Sequence, residues 1–189
     1  MLPRPAHGAR LLDVGCGTGH WSAFFAARGY AVTGVDIVPA MIAVARGKRI
    51  PRASFRVADA QALPFSDNAF QVSAAVATLE FVRDAEAALG EMVRCTEQPG
   101  GSVIVGVLNA LAPMNARRKA ERKPPYAEAR FFAPSEVTTM LARYGKSIVT
   151  VAAFIPRVSA MLPFARLTEF FGRLLRSERG AFILGRVTL

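Results

Sequence analysis

Nine residues constrain this chain more than any others: Leu11-Leu12-Asp13-Val14-Gly15-Cys16-Gly17-Thr18-Gly19. The short apolar run over residues 10–14 reads as a buried strand, and three alternate glycines turn the chain tightly after it. Over residues 18–28, Trp21, Phe24, Phe25 and the alanines recur at helical spacing, and Gly29 closes that helix. Glycines in such a strand–turn–helix unit let backbone approach a ligand closely, and the helix start offers free N–H groups. A dinucleotide fingerprint would need a further glycine at position 20, where His20 stands, so that spacing fails. Asp13 would repel a pyrophosphate. Two residues before Gly15, it can bond loop N–H groups or face an amino group, which suits an amino-acid ligand.

The alternation continues. Ala31–Asp36 reads as a second strand, and Pro39 opens a helix to about Arg46. Residues 54–58 and 70–76 read as a third and a fourth strand. Residues 84–94 are amphipathic, with Ala85, Ala88, Leu89, Met92 and Val93 inward, and Pro99-Gly100-Gly101 turns into a fifth strand, Ser102–Leu108. Strands and helices linked this closely predict a doubly wound parallel sheet with helices on both faces. Past residue 109 the pattern loosens. Residues 110–130 hold Pro113, Pro124, Pro125 and the run Arg117-Arg118-Lys119-Ala120-Glu121-Arg122-Lys123. A helix at 134–144, a strand at 147–153, an amphipathic helix carrying Phe164, Leu167, Phe170, Phe171, Leu174 and Leu175, and a strand at 181–187 follow.

Length and composition limit what such a chain can do. Its 189 residues suit one domain with a full core. Two cysteines and two histidines argue against a disulfide framework and against any metal site. No stretch reaches the roughly 18 apolar residues of a membrane span, and residues 1–10 lack a secretory pattern. A reducing cytoplasm is the expected location. The net charge of +10 is unevenly placed: residues 1–113 carry 10 Lys and Arg against 9 Asp and Glu, residues 114–189 carry 14 against 5. The basic part reads as a lid holding an acidic acceptor, as a membrane-surface patch with Arg166, Arg173 and Arg176, as an RNA contact, or simply as a solvated face. It lacks interleaved aromatics for base stacking, which weighs against RNA.

Further motifs fall in order after the glycine loop: Val35-Asp36-Ile37, then Pro39 and Met41, then Ala58-Asp59-Ala60-Gln61-Ala62-Leu63-Pro64-Phe65. Leu79-Glu80-Phe81-Val82, Glu91-Met92-Val93-Arg94 and Pro99-Gly100-Gly101 complete the set. Over residues 11–108 the chain resembles the class I S-adenosylmethionine-dependent methyltransferases, in particular the type 11 group that includes ubiquinone and menaquinone methyltransferases. The resemblance implies a Rossmann-like α/β fold, with a mostly parallel seven-stranded sheet in the order 3-2-1-4-5-7-6. It implies S-adenosylmethionine as cofactor, held by Asp13, Gly15, Cys16, Gly17, Thr18, Gly19, Asp36, Ile37, Met41, Asp59, Ala60 and Val76. In the family the acid at Asp36 takes the ribose hydroxyls, an apolar residue at Met41 packs on adenine, and Asp59 and the Ala60 backbone read its edge.

Methyl transfer from a sulfonium is an in-line displacement, so positioning matters more than a catalytic dyad. Acceptor-side candidates are Thr78, Glu80, Asn109 and His20; Trp21, Phe24 and Phe25 read as mainly core, with Trp21 able to border the pocket. One domain over 1–189 is expected, with 1–109 holding the cofactor and 110–189 forming the substrate side and its lid (110–130 and 155–178). The expected acceptor is a small molecule, anionic or membrane-dissolved. RNA or protein methylation and a non-catalytic S-adenosylmethionine-binding module are the alternatives. The chain departs from the family at Gln71, usually acidic, and at Cys95-Thr96-Glu97-Gln98. Only about ten residues precede the first strand, where the family usually carries a closing helix; the expectation is a truncated start or an open site.

Overall fold

A computed structural model of the chain describes residues 1–153 and 177–189. Seven strands form one sheet in the order β3-β2-β1-β4-β5-β7-β6. They are β1 (Arg10–Val14), β2 (Ala31–Asp36), β3 (Ala53–Val57), β4 (Val72–Val76), β5 (Ser102–Leu108), β6 (Lys146–Ala152) and β7 (Phe182–Thr188). The first five run parallel, and β7 lies antiparallel to both β5 and β6. Helices α1 (His20–Ala26), α2 (Pro39–Gly47), α3 (Ala85–Cys95), α4 (Pro113–Glu121) and α5 (Pro134–Ala142) connect them.

Alternation along the strands decides which residues meet which helices. Leu12 and Val14, with Val103, Val105 and Val107, point to one face and pack with Leu89, Met92, Phe132 and Leu141. Leu11 and Ile104 point to the other face and pack with Phe25, Ala26, Tyr30 and Val32. All seven residues of β5 are buried, as a central strand covered on both sides requires. Helix α3 begins where Asp84 caps it, its Oδ1 accepting from the N–H groups of Glu86 and Ala87 at 3.0 Å.

The structure moves several boundaries. Helix α1 begins at His20 rather than Thr18, because Gly19 sits at φ 81° and cannot be helical. The fourth strand begins at Val72; Phe70 forms only an isolated bridge to Thr96. Helix α4 forms where the sequence reading found no regular element. Its nine residues have no apolar stripe, and it is held by Pro113 in the first turn and by one buried side chain, Asn115. The amphipathic helix expected over residues 164–175, and most of the 155–178 lid, lie outside the described residues.

Candidate functional site

The parallel strands all end on one edge, and the register brings their ends together. Val14 pairs with Val35 and Ala75, Asp36 with Val57, and Val76 with Gly106. Gly15, Asp36, Asp59 and Val76 therefore lie along the carboxyl edge, where open α/β sheets bind ligands.

The glycine loop is shaped by two demands. Gly15 has φ 67°, and a Cβ there would stand 2.1 Å from Thr78 Cγ2, so packing alone excludes a side chain. Thr78 holds this contact with its hydroxyl, which donates to the Val14 carbonyl at 3.1 Å. Gly17 has φ 52°, and a Cβ there would meet nothing within 4 Å, so the space above it is open. The Gly17 N–H donates to Asp36 Oδ2 at 2.9 Å, and the Val38 N–H donates to Oδ1 at 2.9 Å. Asp36 thus fastens the loop to the end of β2, and each oxygen keeps lone-pair capacity for another donor. Asp59 is organised locally: its Oδ1 accepts from the Gln61 N–H at 2.9 Å and from Gln61 Nε2 at 3.2 Å. Those two contacts hold its carboxyl below the ordinary aspartate range.

Asp13 departs from the sequence reading. It points with Leu11 to the α1 face, is 1% exposed, and accepts from Ser22 Oγ at 2.5 Å rather than from the loop N–H groups. Burial pushes its pKa up to about 7 against the lowering effect of Ser22. The same apolar surroundings, with the charges of Asp13 and Asp36, push the Cys16 thiol up to about 12, so it is no nucleophile. Ser22 was missed, although a polar residue on the inward face of an otherwise apolar helix is a visible sign of a buried partner.

Around Asp36 lies apolar surface that faces solvent. Ile37, Val38, Met41 and Val57 are each between 42% and 62% exposed. Val57 arrives there only through the β2–β3 register, so no local motif announced it. Trp21 and Phe24, read as mainly core, are each more than a third exposed, with Arg28 stacked over Phe24. Exposed His20 meets the edge of Trp21 at a ring separation of 5.7 Å.

Two acceptor-side candidates have very different surroundings. Asn109 is buried, and its Nδ2 donates to the carbonyls of Glu178 and Gly180 at 2.6 and 2.7 Å. Its Oδ1 accepts from the Leu111 N–H at 3.0 Å, so every polar atom of the amide is engaged by backbone. Glu80 is 1% exposed; Oε1 accepts from the Leu108 N–H, and Oε2 has no hydrogen-bond partner among the described residues. Burial pushes its pKa up to about 7. Its carbonyl accepts from the Arg130 N–H at 2.9 Å, which ties the loop after β4 to the basic segment.

Known proteins resemble this chain in sequence and in fold. Residues 12–105 match the model of the methyltransferase domain family. Malonyl-[acyl-carrier protein] O-methyltransferase of Serratia marcescens is 30% identical over 144 residues, which are 76% of this chain and 56% of that protein. Demethylmenaquinone methyltransferase of Renibacterium salmoninarum is 40% identical over 98 residues, 52% of this chain and 40% of its own. This chain therefore spans about half the length of these relatives. A SAM-dependent methyltransferase structure from Thermotoga maritima superposes with a TM-score of 0.75 at 25% identity, covering 100% of this chain and 84% of its own. Another, from Mesorhizobium loti, reaches 0.75 at 18% identity, covering 100% and 94%.

The sheet order and the loop–Asp36 constellation define a class I methyltransferase fold. The chain belongs to the S-adenosylmethionine-dependent methyltransferase family. Its residues fit that cofactor: the open space over Gly17, the partly free carboxylate of Asp36 and the exposed apolar group beside it suit an amino acid, a ribose and an adenine in turn.

Proposed function

We propose that this chain transfers a methyl group from S-adenosylmethionine to a small-molecule acceptor, as one domain over residues 1–189. The observation that carries the reading is the row along the carboxyl edge: open glycine loop, Asp36, exposed Ile37 and Met41, and Asp59. Bound S-adenosylmethionine supplies a methyl group already activated on a sulfonium. The protein's part is to bind, orient and exclude water. Asp36 offers its spare lone pairs to the ribose hydroxyls, while Asp59 and the Ala60 backbone read the adenine edge between Ile37 and Met41. Gly15, Cys16, Gly17, Thr18 and Gly19 line the amino-acid end with Val76, and Asp13 braces them from behind through Ser22.

On the acceptor side, Glu80 stands near a pKa of 7, where a carboxyl can hold or release a proton at working pH. His20 is exposed at the start of α1 and borders the same edge. Asn109 contributes by fixing backbone, since its amide has nothing left to offer a substrate. The relatives named for malonyl-acyl carrier protein and demethylmenaquinone support an acceptor that is anionic or dissolved in a membrane. Among the described residues no helix is long and apolar enough to cross a membrane. Calorimetry tests the site directly: Asp36→Ala and Asp59→Ala each lose at least about tenfold in cofactor affinity while the fold survives. Unchanged affinity in both would sink the assignment.

The basic surface of α4 supports a second reading, methylation of RNA or of a protein. Steeply salt-dependent binding to bulk tRNA would favour it.

A further inference from the structure

Beyond β4 the chain forms a cleft of about 480 Å3 lined by Glu80, Phe81, Arg83, Pro125, Glu128 and Arg130, among others. That volume lies within the range of small-molecule sites. Three features give it a chemical preference.

The first is apolar. Phe81 is 47% exposed, and its ring lies 6.4 Å from that of Tyr126, which in turn meets Phe131 at 6.3 Å. An aromatic wall of this kind favours an apolar body.

The second is cationic. Arg83 has no ion-pair or hydrogen-bond partner among the described residues. The Arg130 guanidinium lies 4.9 Å from the Phe132 ring centre and, among the described residues, makes one ion pair, a 3.3 Å contact with Glu136, both side chains being about half exposed. Such a pair contributes little and is readily given up. Behind the aromatic wall stands α4, whose Arg118 guanidinium lies 4.9 Å from the Tyr126 ring centre. Lys119, Arg122 and Lys123 are exposed beyond it.

The third is a weak opposing charge on the cleft lining itself, the acid within charge range of Arg83 being Asp59 on the cofactor side. Glu80 is buried, and its raised pKa reduces the negative charge it presents. Exposed Glu128 is left against two arginines.

From this arrangement we infer that the cleft between Glu80–Arg83 and Pro125–Arg130 binds an amphipathic anion, its apolar body against Phe81, Val82 and Pro125 and its carboxylate or phosphate between Arg83 and Arg130. This rests on the methyltransferase reading, because it names the class of acceptor that site takes. Two planar guanidiniums suit a carboxylate or phosphate oxygen pair better than a neutral amide. The acceptor can arrive free in solution or from a membrane; the recognition chemistry is the same.

The test uses the full chain and three probes: 4-phenylbutyrate, its neutral isostere 4-phenylbutanamide, and oleate carried in phosphatidylcholine vesicles. By calorimetry, 4-phenylbutyrate binds at least about tenfold more tightly than the amide, and Arg83→Ala with Arg130→Ala removes that preference. Both arginines are exposed, so the double variant keeps its fold, checked by its melting temperature. Arginine-dependent binding of both anions supports a cleft open to either source. Binding confined to oleate vesicles assigns the acceptor to the membrane. An amide that binds as tightly as the acid, a preference that survives loss of both arginines, or binding of tRNA alone overturns the inference. Cofactor affinity is read separately: Asp36→Ala lowers it, and the double arginine variant leaves it within about threefold, so failure of the methyltransferase reading stays distinguishable.

Discussion

Residues 10–109 and residues 110–130 meet at Asn109, and they are built on opposite terms. In the first segment the buried polar side chains largely answer one another across long sequence distances: Ser22 to Asp13, Ser73 to Thr96, Thr78 to the Val14 carbonyl. In the second, six Lys and Arg stand against two Glu, and the main buried anchors are Ala112, Asn115 and Ala129. The first segment holds its loop by packing at both ends, Gly15 against Thr78 and Gly19 against Ile50 and Phe55. The second is tied down at a few points and carries its charge outward. On the proposed function, the first segment holds the cofactor and the second faces the acceptor.

The contrast breaks most sharply at Gly15. Gly15→Ala places a methyl group in the Thr78 side chain at a positive φ, and should cost roughly 4 kcal/mol in urea unfolding. A loss under about 1 kcal/mol would show that the loop is softer than its packing implies. Asn109→Ala, at the junction, removes the amide that holds the Glu178 and Gly180 carbonyls and the Leu111 N–H. A loss of about 3 kcal/mol is expected there, with cofactor affinity nearly intact. If affinity falls in step with stability, the two segments are one mechanical unit.

The pH dependence probes the acids of the first segment. Asp13 and Glu80 bind protons more tightly folded than unfolded, since each folded pKa is about 7 against ordinary values near 4. Their contribution is therefore full below the unfolded pKa and is lost as pH rises toward 7. Asp59 and Glu91, held low, act in the opposite sense: their contribution is lost as pH falls below the ordinary carboxylate range. Stability should decline from pH 5 to pH 8 by roughly 2 kcal/mol per raised acid, and Asp13→Asn should remove its share of the slope. A flat profile in the unsubstituted protein would remove the case for both raised values. The smallest effect belongs to the surface of α4. Lys119→Ala and Arg122→Ala should each shift stability by less than about 0.5 kcal/mol, measured by thermal melts. A larger loss would mean that α4 is part of the core and not a carrier of charge.

Much of the frame was legible before any coordinates. Residues 31–36 and 102–108 were read to the residue as strands, because a short apolar run bounded by turn residues has little else to become. The inward residues of α3 followed from their spacing alone. Helix α4 was not legible: with no apolar stripe and prolines around it, nothing periodic marks it, and its anchor Asn115 works by donating to the carbonyls of Asn109 and Ala181. The site divides the same way. Asp36 and Asp59 stand at strand ends that local pattern predicts, whereas the exposed Val57 reaches Asp36 only through strand register.

By itself the sequence determined the alternation of strands and helices, the glycine turn after β1 and the position of acids at the strand ends. These follow from side-chain period and from φ preference, which act over a few residues. Only the tertiary structure decided that Asp13 answers Ser22, that Asn109 spends its amide on backbone 69 and 71 residues away, and that one oxygen of Glu80 has no partner among the described residues. Those outcomes depend on burial and on which distant atoms the sheet brings within hydrogen-bond reach, and no local rule carries that information.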